Sequence, residues 1–303
     1  MHNEILQKVY QVSDFNENGH LLIDQLTTHL EDKLNANSRN AINWNKPEQE
    51  LKFWKYFLVY GNQKELFQEI TKRTTYIHHP NYLGHQVSPP APITALTSLI
   101  SSLLNNGTAV YEMGMASNAI ERIVMEIICN KIGYDTNSSG FLTSGGTLAN
   151  LTALLSARKA ITKIDIWNKG TQNQLGIMVS EEAHYCVDRA ARIMGLGDQG
   201  IIKVPVSSGF RMDTKLLEFK FKEAKEKGIE IFAIVGSAPS TATGIFDDLE
   251  VIGSFAEKRK IWFHVDGAHG GAGIFSKKYQ HTLKGIEKAD SVVIDGHKMM
   301  MMP

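Results

Sequence analysis

The 303-residue sequence predicts an α/β protein built on a mostly parallel sheet flanked by helices and preceded by a helical N-terminal segment. Two observations predict it. Beyond Gly140, short apolar runs alternate with amphipathic helical stretches, the pattern of strand and crossover helix. Before that point the apolar residues recur at helical spacing only.

Residues 1–75 are polar and rich in Asn, Gln, Glu and Lys, with Leu51, Phe53, Trp54, Phe57 and Leu58 at helical spacing. From His78 to Pro92 the stretch HHPNYLGHQVSPPAP holds four of the eight prolines and predicts an ordered loop or an extended crossing. Helical spacing returns from Ile93 to Ile132, broken near Asn105-Asn106-Gly107, with Ile120, Ile123, Val124, Ile127 and Ile128 on one face. Strands are then expected at Phe141-Leu142, Gly176–Val179, Ile201–Val206, Ile231–Val235, Ile261–Val265 and Ser291–Ile294. The helices between them are expected at Leu148–Ala160, Cys186–Met194, Thr214–Lys227 and Leu249–Lys260.

Composition narrows the function classes. Hydrophobic residues make up 43% and charged residues 21%, an ordinary globular balance. Lys and Arg total 32, as do Asp and Glu, so no net field favours a nucleic acid or an anionic membrane. No apolar run approaches the roughly 20 residues that span a bilayer. The opening MHNEILQKVYQVSDF has neither the basic start nor the apolar centre of a signal peptide, and the expected setting is cytoplasmic. Cys129 and Cys186 are too few and too far apart for a disulfide framework or a zinc knuckle, and no metal site is expected.

In an open parallel sheet, ligands bind beyond the carboxyl ends of the strands. Each apolar run here is followed by polar groups: Thr143-Ser144-Gly145-Gly146-Thr147, Glu181 to His184, Ser240-Thr241, Asp266, and His297-Lys298. The SGGT turn opening a helix is suited to a phosphate, because two glycines let the backbone approach and helix-start N–H groups face the guest. It lacks the GK[ST] of a Walker loop, and a plain Thr N-cap after a glycine turn is the alternative. Lys298, taken to close a strand among apolar residues, is suited to forming an imine with an aldehyde, or else snorkels from a strand end. Asp266 can keep a pyridine nitrogen protonated, or cap the next turn. His184 can stack on a ring, or be a satisfied loop histidine.

Phosphate cradle, imine-forming lysine and carboxylate together point to pyridoxal 5'-phosphate. The stretches TSGGTLAN, SEEAHYCVDRA, GSAPSTATGIFDD, HVDGAHGG and ADSVVIDGHK resemble the group II pyridoxal-dependent amino-acid decarboxylases, from about His79 to the last residue. The resemblance implies an aspartate-aminotransferase-like fold, with residues 1–75 as a dimer-packing helical segment and 76–303 as a cofactor-binding large domain. It implies that Lys298 carries the cofactor as an internal aldimine, Asp266 pairs with the pyridine nitrogen, His184 stacks on the ring and Ala268 touches its other face. Thr241 then contacts the cofactor or substrate carboxylate side, Gly146, Thr147 and His297 hold the phosphate, and His85 and Ser88 belong to the substrate side. The implied reaction is decarboxylation of an L-amino acid by a homodimer. Family members continue well past the lysine, through a proton-donating loop and a small C-terminal domain, whereas this chain stops at Pro303, so it is expected to be truncated. Pro239 stands where many relatives carry glycine.

The sequence also admits transamination or carbon–carbon lyase chemistry on the same cofactor, and an inactive fragment. A dehydrogenase is suggested by Gly195, Gly197 and Gly200, which spell GxGxxG but follow a helix and precede a strand, the reverse of a dinucleotide site. A metal hydrolase is suggested by His264, Asp266 and His269.

Overall fold

The computed structural model describes residues 7, 9–37, 40–163 and 165–303. The chain divides into two compact units, Met1–Pro89 and Pro90–Pro303. The helical reading of residues 1–6, 8, 38 and 39 lies outside the described residues.

The first unit contains α1 (Val12–Leu34), α2 (Pro47–Tyr60) and α3 (Leu66–Lys72). Proline at the first position of α2 suits a helix start, where its missing N–H has no partner to lose. Arg73 ties α2 to α3, reaching Glu50 at 2.9 Å and Glu69 at 3.3 Å while its guanidinium lies over the Phe53 ring. An antiparallel bridge joins Ile42 to Thr75. No described residue of these three helices is buried. From Tyr76 to Ala91 the chain forms turns and loop, with no helix or strand.

The second unit begins with α4 (Pro92–Leu104) and α5 (Tyr111–Ile132), which the sequence separates at Asn105, a left-handed C-cap. Next come α6 (Gly146–Ile161) and the single turn α7 (Ile166–Lys169). The sheet follows as β1 (Leu175–Ser180), β2 (Ile201–Val204), β3 (Glu230–Ser237), β4 (Trp262–Asp266) and β5 (Ser291–Val293). Between the strands run α8 (Tyr185–Ile193), α9 (Leu217–Glu226) and α10 (Leu249–Arg259). All strand pairs are parallel, in the order β2-β1-β3-β4-β5. Helices α6 and α8 cover one face, packing Leu154, Ala157, Val187 and Ala190 against Ile177, Val179, Phe232 and Val235. Helices α9 and α10 cover the other, packing Leu217, Ala224, Leu249 and Ile252 against Met178, Ile234 and Phe263. Burial on both faces explains why these strands read as continuous apolar runs rather than alternating ones. Among the described residues no helix is long and apolar enough to cross a membrane.

Three strand expectations need correction. Phe141-Leu142 is no strand: both residues are exposed and pair with no ladder, and the Leu142 N–H donates to the Glu121 carboxylate at 2.6 Å. The run from Ile201 leaves the ladder after Val204, because Pro205 has no N–H to donate and Val206 bridges to Met212 instead. The last strand ends at Val293, and Lys298 lies in a turn five residues further on rather than closing the strand. The Asp295 N–H turns aside to the Ala268 carbonyl, which ends the pairing.

Candidate active site

The strand order reverses direction between β1 and β3, and a crevice opens at such a switch point beyond the carboxyl ends. A cavity of about 570 Å³ lies there, a size usual for a small cofactor. Gly146, Thr147, His184, Thr241, Asp266, Ala268, His297 and Lys298 all line it. His85 and Ser88 belong to the first unit, where His85 lines a cleft with His78, Tyr82 and Gln86.

The floor of the cavity is the start of α6. Gly145 holds φ +152° and ψ 166°, backbone that glycine alone adopts readily. A Cβ on Gly146 would come within 3.3 Å of the Ala268 Cβ and 3.4 Å of the Asp295 carboxylate, so a side chain there would intrude on the cradle. The N–H groups of Gly146 and Thr147 precede the helix's own ladder and are donors for an anion.

β1 leads through the Glu181–Ala183 turn to His184, the N-cap of α8, whose Nδ1 accepts from the Cys186 N–H at 3.3 Å. With Nδ1 accepting, the neutral ring carries its proton on Nε2. Burial lowers the His184 pKa, with Lys298 and Arg189 pushing the same way and Asp266 opposing. Beyond β3 the Ala238-Pro239 turn departs from the glycine expected of relatives, yet it is well bonded. The Ala238 N–H donates to the Asp266 carbonyl at 2.8 Å, and the Ser240 hydroxyl to the Glu182 carbonyl at 2.8 Å. Thr241 is thereby carried to the cavity wall.

Asp266 ends β4, is buried, and takes the Ala268 N–H on Oδ1 at 3.2 Å. The capping alternative is therefore present together with the cavity-facing placement. Past β5, the His297 Nδ1 pairs with Asp295 at 2.7 Å.

Sequence reasoning passed over several residues of this wall. Asp295 directly follows the last apolar run, so the strand-end rule could have found it. Asn150 reads as an ordinary helix position, and only the docking of α6 brings it to His264 at 2.7 Å. His269, singled out above only as a candidate metal ligand, lines the cavity, and its buried Nδ1 lacks a hydrogen-bond partner among the described residues. Cys186 also lines it, its thiol pushed up to about 12 by burial.

The rival readings meet the same geometry. Gly195, Gly197 and Gly200 join α8 to β2, at the amino edge of the sheet and away from the cavity. Both ring nitrogens of His264 are engaged by Asn150 and Ser291, so this histidine is not available to a metal.

The fold and this edge define a doubly wound α/β protein whose site fits a phosphorylated aldehyde. The pyridoxal-dependent decarboxylase conserved domain matches residues 68–303, and the chain belongs to that family, whose cofactor is pyridoxal phosphate. It is 33% identical over 270 residues to an aspartate 1-decarboxylase of Aliivibrio fischeri, covering 81% of this chain and 49% of that protein. With the L-aspartate decarboxylase dtxS4 of Metarhizium robertsii it shares 30% identity over 248 residues, covering 80% and 50%. The structure superposes, at a TM-score of 0.84 and 26% identity, on the glutamate decarboxylase domain of a diaminobutyrate-pyruvate transaminase and L-2,4-diaminobutyrate decarboxylase from Vibrio parahaemolyticus, covering 93% of this chain and 64% of that one. The chain spans about half the length of the curated relatives it matches.

Proposed function

We propose that this protein binds pyridoxal phosphate through Lys298 and decarboxylates an L-amino acid. The observation that carries the reading is the convergence of a lysine, a carboxylate, a neutral histidine and a glycine-opened helix start on one cavity. When bound, the cofactor supplies an aldehyde that condenses with amines and a ring that accepts the electron pair released at Cα.

The chain's own residues do the rest. The N–H groups of Gly146 and Thr147, with His297, hold the phosphate, and Asp295 orients the His297 ring from behind. Lys298 would hold the cofactor aldehyde through Nζ. Asp266 keeps a proton on the pyridine nitrogen, and its bond from the Ala268 N–H fixes the carboxylate. His184 and Ala268 would face the cofactor ring, and a neutral His184 would add no charge to it. Thr241 faces the cofactor or the substrate carboxylate. His85 and Ser88 are assigned to the substrate side by the resemblance alone, and replacing either by alanine should raise KM while leaving cofactor uptake unchanged.

The protein is proposed to act as a homodimer. Supporting this, α4 leaves Ile93, Ile100, Leu103 and Leu104 more than half exposed, an apolar face suited to self-association. Two free, buried cysteines accord with a cytoplasmic setting. The deciding experiment is Lys298→Ala in the full-length protein, scored for borohydride-trapped cofactor and for carbon dioxide release against keto-acid formation across an amino-acid panel. Loss of both trapping and carbon dioxide is expected. Full trapping and full turnover in the variant would refute the lysine's role, and keto acid in place of carbon dioxide from the parent protein would reassign the reaction.

A further inference from the structure

Helix α6 and strand β4 meet at a buried chain of polar side chains that none of the steps above uses. Asn150, one turn into α6, is 1% exposed. Its Nδ2 donates to the Gly146 carbonyl at 2.9 Å and to the Cys186 sulfur at 3.5 Å. Its Oδ1 is therefore the atom turned to β4, where Nε2 of the fully buried His264 lies 2.7 Å away. An amide oxygen only accepts, so Nε2 carries the imidazole proton and Nδ1 accepts. The Ser291 hydroxyl donates its own hydrogen to Nδ1 at 2.8 Å and in turn receives the Trp262 indole N–H at 2.8 Å, while the Ser291 carbonyl lies 3.2 Å from the same Nδ1. With the Asn150 amide oriented by Gly146 and Cys186 in this way, the chain links α6 to β4 and β5.

The two ends of this chain meet the two anchors of the proposed cofactor site. Gly146, whose carbonyl Asn150 holds, also presents an N–H to the phosphate side. His264 precedes Asp266 by two residues on β4 and shares its face. We propose that Asn150 and His264 are positioning residues, whose buried hydrogen bond locks the phosphate-binding turn of α6 to the strand carrying Asp266 and so holds the two anchors at one spacing. This rests on the reading that the cavity takes pyridoxal phosphate. A flat, rigid guest with a phosphate on one side and a ring nitrogen on the other is bound best when its anchors are held in advance, because no binding energy is spent on ordering them. His264 does not line the cavity, and Asn150, which does, is 1% exposed with both ends of its amide engaged inside the wall. Burial also pushes the His264 pKa down to about 4 against the pull of Asp266, so the pair adds no charge beside that carboxylate.

The test compares dissociation constants for pyridoxal phosphate and for pyridoxal, which lacks the phosphate, in the full-length protein and its Asn150→Leu and His264→Gln variants. N150L should weaken pyridoxal phosphate roughly tenfold, the worth of about one buried hydrogen bond, and leave pyridoxal within about twofold. H264Q, whose amide can still donate to Asn150, should restore affinity to within about threefold of the parent, which a merely structural role would not predict. Equal weakening of both ligands, or unchanged affinity in N150L, would overturn the proposal. Should N150L fail to fold, nitrogen-15 NMR of the cofactor-free parent decides: His264 protonated on Nε2 supports the pair, and on Nδ1 refutes it. A parent protein that binds neither ligand would instead refute the function proposed above, leaving the tautomer measurement to judge the pair.

Discussion

Substituting Gly145 by alanine isolates the backbone's part in the phosphate cradle. Gly145 sits at φ +152° and ψ 166°, and a Cβ built there meets no atom within 4 Å. Steric clash is therefore absent and the whole cost is conformational, about 1–3 kcal/mol for a non-glycine residue in this region. If the loop keeps its shape, that cost appears as a lower Tm. If it relaxes, the Gly146 and Thr147 N–H groups move, and 1–3 kcal/mol corresponds to a roughly 5- to 150-fold loss of pyridoxal phosphate affinity. Gly197 provides the control. Its φ of 65° and ψ of 179° carry the same kind of strain, also with nothing within 4 Å of a Cβ, but it lies at the opposite edge of the sheet. Gly197→Ala should lose comparable stability and no affinity. The assay is titration of cofactor-free protein with pyridoxal phosphate, followed by absorbance, beside thermal unfolding of each variant. Equal loss of affinity in both variants, or a Gly145→Ala protein with unchanged affinity and Tm, would refute the reasoning.

Further outcomes follow from the same physics. Asp247 is buried and accepts the N–H groups of Met212 and Ser237, both at 2.8 Å, one on each oxygen. Asp247→Asn keeps one acceptor and leaves the other N–H unpaired, so denaturant unfolding should register a loss of about 1–3 kcal/mol. The folded pKa of His264, about 4, lies below its ordinary 6.5. Stabilisation from the neutral ring is thus present above pH 6.5 and lost as pH falls toward 4, at up to about 1.4 kcal/mol per pH unit. His264→Gln should flatten that part of the stability profile, and an unchanged slope would show that other groups set it. Cys186, 2% exposed with its thiol pushed up to about 12, should resist a maleimide at pH 8 in the native protein and react once it is denatured. Rapid native labelling, read by mass spectrometry, would contradict that burial.

Much of the sheet was legible because its strands are covered on both faces. Continuous apolar runs such as Ile231–Val235 survive as near-complete strands, Glu230–Ser237 in this case. Phe141-Leu142 misled because two apolar residues beside a glycine turn look like a strand end, while pairing depends on a neighbour the run does not have. Lys298 lines the cavity but does not close the strand, which ends at Val293. The hydrogen bond from Asp295 to Ala268, not apolarity, decides where β5 stops.

By itself the sequence determined the layered α/β class, the order of the motifs, and the arrival of Gly146, Thr147, His184, Thr241, Asp266, His297 and Lys298 near strand or helix ends, because periodicity and turn chemistry are local properties. Only the tertiary structure decided that these groups share one cavity, that Asp295 backs His297, and that Asn150 meets His264 across 114 positions of chain. Those pairings depend on strand order and on how α6 docks upon the sheet. Both are set by packing between elements distant in sequence, which no local pattern encodes.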